Sequence, residues 1–154
     1  MLFENEPYFR MIQSITGIYM KTRHWTERQI KVLDITYPQL GALIVLSQHD
    51  GITQREMANR LDTDATTVMV LCDSLEKKNW LRRVPDKADR RVNRLVLTDN
   101  GNHIFQEALS RIQSGYSYMV KSTPQFDDLN GTISFLEAFD HNLKEMMRPG
   151  LEGK

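Results

Sequence analysis

Two helix starts lie eleven residues apart in the middle of this chain, and they constrain its fold more than any other feature. Thr53-Gln-Arg-Glu56 is a capping box, in which the threonine side chain accepts the Glu56 N–H and the glutamate reaches back to the Thr53 N–H. Asp64 is a second N-cap, placed ahead of an apolar stripe at Val68, Leu71, Cys72 and Leu75 with i, i+3, i+4, i+7 spacing. Starts this close leave room only for a short helix carrying Met57, Ala58 and Leu61 inward, a tight turn at Asp62-Thr63, and a second helix over residues 65–78 that Asn79 stops. An earlier capping box, Thr36-Tyr-Pro-Gln39, opens a helix with Leu40, Leu43 and Ile44 inward, ending near His49-Asp50-Gly51.

Residues 80–84 have strand composition, 85–91 form a polar tip, and 92–97 alternate as a second strand. Two short helices, a tight turn and a hairpin make a winged helix-turn-helix, whose second helix is shaped to enter a DNA major groove. On both sides the chain returns to helical periodicity. Tyr8, Met11, Ile12, Ile15 and Tyr19 set a first helix over residues 6–28, with Pro7 tolerated in its first turn. Thr98 caps a helix carrying Ile104, Phe105, Ala108 and Ile112, which Thr123-Pro124 breaks. A last helix carries Leu129, Ile133, Leu136, Leu143 and Met147 and ends at Pro149-Gly150. The expected fold is mainly α with a small β-hairpin wing: a winged helix-turn-helix over 36–101, flanked by dimerisation helices in 1–35 and 102–154. The flanks carry Phe3, Tyr8, Phe9, Met11, Met119, Phe126, Phe135, Phe139, Met146 and Met147, more apolar surface than two separate arms of a monomer bury. A two-fold homodimer is the expected solution.

The net charge of zero hides an asymmetry. Residues 76–94 hold eight cations against three anions, so this segment is +5 and the remainder −5. A local basic block on a neutral chain is what contact with a polyanion requires, and it is also compatible with a solvated hairpin. The tip is more specific, with Lys87, Arg90 and Arg91 within five residues. Arginine gains from the enhanced negative potential of a narrow minor groove. Asp89 is expected to accept from Arg91 and fix the direction of that side chain.

Thr53-Gln-Arg-Glu56, the helix over 65–78, Asp86-Lys-Ala-Asp-Arg-Arg91 and Leu97-Thr-Asp-Asn-Gly101 together resemble the MarR family of bacterial transcription regulators. The resemblance runs from about residue 36 to 101, and the string Asp-x-x-Asp-Arg-Arg, a strand, then Leu-Thr-x-x-Gly is its most specific part. It implies a homodimer with intertwined first and last helices, a recognition helix in the major groove and a wing arginine, here Arg91 with partner Asp89, in the minor groove. It implies that Gln54 sits at the phosphate-contacting start of the first helix of the pair. It further implies a regulator, commonly a repressor, released by a small phenolic or otherwise aromatic compound.

The expected DNA-contacting set is therefore Gln54, Arg55, Ala65, Thr66, Thr67, Met69, Val70, Lys77, Lys87, Asp89, Arg90 and Arg91, on a pseudo-palindromic operator. The face opposite the apolar stripe holds Thr66, Met69, Val70, Asp73, Ser74 and Lys77. It departs from the resemblance, which implies serine, threonine and arginine there. Methyl-bearing side chains meet the thymine C5-methyl group but do not read donors and acceptors, so A·T pairs and shape are expected to carry much of the specificity. The alternative is that this helix touches protein, as in a winged-helix interaction module that has lost DNA binding. The expected effector pocket uses Ile15, Tyr19, Tyr37, Leu40, Ile44 and Trp80, residues that serve equally well as core. Tyr19 and Tyr37 are its leading candidates, since each adds a hydroxyl to an apolar body.

Other chemistry finds no support. His24, His49, His103 and His141 have no metal-ligand spacing with one another or with Cys72, and Asp62-Thr-Asp64 is too short for a calcium loop, so no metal or cofactor is expected. No phosphate loop, nucleophile elbow or catalytic dyad is present, which argues against an enzyme. Cys72 reads as a small buried hydrophobe, with a thiol sensor as the alternative. A mean hydropathy of −0.47 and a longest apolar stretch of only residues 40–46 argue against a membrane span. The acidic start lacks the basic region of a signal peptide, and a single cysteine forms no disulfide framework, so a cytoplasmic location is expected.

Overall fold

A computed structural model of the chain describes residues 6–123 and 128–147. In order it comprises α1 (Pro7–Ile30), a 3-10 turn (Lys31–Leu33), α2 (Tyr37–Gln48), β1 (Ile52–Thr53), α3 (Gln54–Leu61), α4 (Ala65–Lys77), β2 (Leu81–Pro85), β3 (Asn93–Leu97), α5 (Asp99–Lys121) and α6 (Leu129–Met146). Phe3, Pro124, Phe126, Pro149 and Gly150 lie outside the described residues, so the readings placed on them have no structural counterpart.

The local signals act as the sequence predicts. Both capping boxes form: Thr36 accepts from the Gln39 N–H and Thr53 from the Glu56 N–H, and the Gln39 and Glu56 side chains return to the backbone N–H of their threonines. Asp64 accepts from the Thr67 N–H at 2.8 Å to start α4. Asp62 and Asn79 take the left-handed conformation (φ 50° and 56°) that ends α3 and turns the chain after α4. Thr98 accepts from the Gly101 N–H at 2.9 Å, capping α5, and donates to the Asn79 carbonyl at 2.6 Å.

The sheet is larger than the expected hairpin. It has three antiparallel strands in the order β1-β3-β2, with Ile52 opposite Leu95 and Thr53 opposite Arg94. A two-residue strand carries no alternation for a sequence reading to detect. The hairpin strands also begin one residue later than expected, at Leu81 and Asn93.

The chain divides into two compact units, residues Met1–Ser114 and Gly115–Lys154. The core of the first is built on α2, which buries Leu40, Ala42, Leu43, Val45 and Leu46. Around it lie Met57, Val68, Cys72, Leu75, Leu81 and Leu95, each at most 1% exposed. Full burial of one such aliphatic side chain contributes roughly 1.5–3 kcal/mol. The stripe on α4 is buried as predicted, and Gln39, 5% exposed, donates to the Ser74 hydroxyl at 2.7 Å, fixing the start of α2 to α4. Ser74 thus faces its own fold, a correction to its placement on the free side of α4. In the second unit, α6 buries none of its residues; Leu129, Ile133, Phe135, Leu136 and Leu143 are all exposed. The first half of α1 likewise exposes Tyr8, Phe9, Ile12 and Ile18. Among the described residues no single helix is long and apolar enough to cross a membrane.

Candidate nucleic-acid interface

The outward side of α4 is determined by which of its polar side chains are already bonded. Thr67 donates its hydroxyl to Asp64 at 2.7 Å. That bond, with the Thr67 N–H, holds the Asp64 carboxyl below its ordinary pKa. Asp73 accepts from the Arg83 guanidinium at 2.6 Å, and Glu76 accepts from the other arm of the same guanidinium. Ala65, Thr66, Met69, Val70 and Lys77 remain outward. Met69 is 49% exposed and Val70 61%, unusual values for residues of their type on a helix with a full apolar stripe elsewhere.

Arg83 also organises the wing. It stands on β2, so its two bonds join the exposed side of α4 to the wing stem. The tip is closed by Asp86, whose carboxylate accepts the Ala88 and Asp89 N–H groups at 2.8 and 3.1 Å and Arg94 Nε at 2.6 Å. Arg94 donates to the Gly51 carbonyl at 3.2 Å and lies 3.8 Å from Glu56, which links the wing to the start of α3. Lys78 is held by Asp34 at 2.7 Å and lies 4.5 Å from the Trp80 ring centroid.

These bonds sort the basic block. Of its eight cations, Lys78, Arg83 and Arg94 are tied to anions of the fold. Lys77, Arg82, Lys87, Arg90 and Arg91 are exposed and have no ion pair among the described residues. The sequence reading counted all eight as equivalent. Arg83, Asp86 and Arg94 are the residues it missed, and the available signal was the pairing register, which sets Val84 opposite Arg94.

Three expectations need correction. Asp89 accepts from the Arg91 backbone N–H at 3.0 Å, not from its guanidinium, so it shapes the turn and leaves the arginine side chain undirected. Gln54 begins α3 as expected, but its carboxamide nitrogen is buried, with no hydrogen-bond partner among the described residues. Its donor is thereby withdrawn from the surface, whereas Arg55 beside it is exposed. The six pocket candidates are also not brought together. Leu40 is core, Ile15 and Ile44 are half-buried, and Trp80 is buried with its ring beside Lys78. Tyr19 and Tyr37 do share a neighbour: Arg23 lies 3.5 Å from the Tyr19 hydroxyl and 5.3 Å from the Tyr37 ring centroid. Tyr37 lines an open groove of about 350 Å³ with Glu27, Lys31, Asp34, Ile35, Thr36 and Pro38.

Cys72 is fully buried and donates toward Met57 Sδ at 3.9 Å; burial pushes its thiol pKa up. Among the described residues no cluster of histidine, cysteine, aspartate and glutamate is arranged to hold a metal.

Comparison with known proteins agrees with this architecture. Residues 33–92 match the MarR family model. Over 140 residues the chain is 26% identical to the HTH-type transcriptional repressor MdtR of Bacillus subtilis, covering 89% of this chain and 90% of that one. A MarR transcriptional regulator from Methanosarcina mazei superposes with a TM-score of 0.73 at 26% identity, covering 88% of this chain and 98% of the other. The transcriptional repressor CouR, solved bound to a 23-mer DNA duplex, shares the fold with a TM-score of 0.74 at 20% identity, covering 82% and 89%.

Proposed function

We propose that this chain, whose residues 33–92 match the MarR family model, is a winged-helix transcriptional regulator of that family and acts as a homodimeric repressor on a pseudo-palindromic DNA operator. The observation that carries the reading is the Arg83 brace, which joins the exposed side of α4 to a wing whose free cations have no ion pair among the described residues. Phosphate oxygens supply those partners, and α4 then lies in the major groove with Arg91 directed to the adjacent minor groove. Arg55, Lys77, Lys87 and Arg90 add phosphate contacts.

The dimer is inferred from the apolar side chains left exposed on α1 and, separately, on α6, since exposed apolar surface of this kind marks association sites. In this reading residues 1–35 and 102–154 supply the dimer arms and 36–101 the reading head. The two heads meet half-sites about 34–36 Å apart, one helical turn. The Tyr37 groove is the place for a small aromatic effector, which releases DNA by binding the disengaged arrangement of the heads more tightly. In this reading the chain works in the cytoplasm, on DNA, and performs no catalytic step.

Selection of genomic fragments by the purified chain, followed by footprinting, tests the proposal. Two protected half-sites one helical turn apart are expected; failure to enrich any fragment excludes it and favours a winged-helix module for a protein partner.

A further inference from the structure

We infer that α4 reads thymine through its C5-methyl group, so that the operator half-site places thymines against Met69 and Val70; this rests on the proposed DNA binding. The inference comes from subtraction. Along α4, the Thr67 hydroxyl is committed to Asp64 and the Asp73 carboxylate to Arg83. Gln54, an amide of the neighbouring α3 that would pair with adenine, has its donor nitrogen buried beneath the surface. What remains outward is one hydroxyl, Thr66, among the methyl-bearing surfaces of Ala65, Met69 and Val70.

That surface is chemically selective. In the major groove thymine alone presents a methyl group, whereas cytosine offers an amino donor and guanine two acceptors. Packed against Val70 or Met69, a cytosine amino group or a guanine O6 loses water and gains no hydrogen bond, while a thymine methyl loses only unfavourable hydration. The exposed apolar face is matched to DNA rather than to an apolar partner by its surroundings: Lys77 on the same helix and the unpaired Lys87, Arg90 and Arg91 on the wing.

The experiment uses the full chain and duplexes enriched from a random 30-base-pair pool. Each thymine of a half-site is replaced in turn by deoxyuridine, which removes the methyl and leaves Watson–Crick pairing and the minor groove intact. We expect one or two thymines per half-site whose replacement weakens binding about three- to tenfold, in line with burial of a single methyl-sized group in a tight contact. Val70→Ala and Met69→Ala, checked for unchanged helical content, bring the thymine-to-uracil ratio at those positions toward one. Equal binding of thymine and uracil duplexes, or selected half-sites without thymine there, overturns the inference while leaving the proposed DNA binding intact. A pool from which nothing is enriched overturns the proposed function and this inference with it.

Discussion

Asp86 and Arg94 close the tip of the wing: the carboxylate accepts Arg94 Nε at 2.6 Å while it also caps the Ala88 and Asp89 N–H groups. The hydrogen bond from Arg94 is the largest cause holding the Asp86 carboxyl down to about 2, with the two amides adding to it. A carboxylate depressed in the folded state contributes stability above its unfolded value and loses it as pH falls through the folded one. The wing should therefore hold its shape down to about pH 4 and loosen progressively toward pH 2. The Ala88 and Asp89 amide resonances, followed by NMR, should titrate with a midpoint near 2. Asp86→Asn should remove that titration and lower DNA affinity without changing helical content.

Arg91 and Asp89 have different jobs in the wing, and substitution separates them. In the minor groove Arg91 also neutralises a neighbouring phosphate, so Arg91→Ala should weaken binding and reduce the slope of log affinity against log salt by about two, roughly one for each protomer of the dimer. Asp89→Ala removes the acceptor for the Arg91 N–H and disturbs the turn, so affinity should fall with the slope nearly unchanged. Binding titrations over 50–300 mM salt distinguish the two.

Gly101 approaches the Trp80 carbonyl so closely that an added Cβ falls well inside contact distance of backbone atoms. Nothing flexible stands there to yield. Gly101→Ala should destabilise the fold by about 1–3 kcal/mol, read as a lower urea midpoint. This contact, with the Thr98 hydroxyl bonded to both Asn79 and Gly101, is the physical content of the Leu-Thr-x-x-Gly string.

Cys72 should be unreactive in the native protein. Burial raises its pKa and denies access, so iodoacetamide at pH 8 should label it slowly in buffer and rapidly in urea. Rapid labelling of the folded chain would restore the thiol-sensor alternative.

Capping signals proved the most legible part of the sequence, because each is a short-range bond between residues three apart: Thr36 with Gln39, Thr53 with Glu56, Asp64 with Thr67. The buried stripe of α4 was legible for the same reason. What escaped depends on residues distant in sequence. β1 exists only because β3 lies beside it, Ser74 turns inward only because Gln39 meets it 35 residues away, and the Gln54 carboxamide nitrogen is buried rather than presented outward. In the candidate site the free cations at the tip were visible, but their distinction from Arg83 and Arg94 was not, since Arg83 pairs with Asp73 and Glu76 on α4 and Arg94 with Asp86 across the hairpin, contacts that local spacing does not reveal. The pocket candidates failed to converge because apolar periodicity marks core and cavity lining alike.

Salt dependence of binding to a selected duplex tests the central claim most directly. If α4 and the wing grip DNA, log affinity falls linearly with log salt at about 0.9 per phosphate neutralised, approaching a slope of order −9 when all five free cations of two protomers engage. A slope near zero, or affinity indifferent to the removal of Arg91, would contradict it.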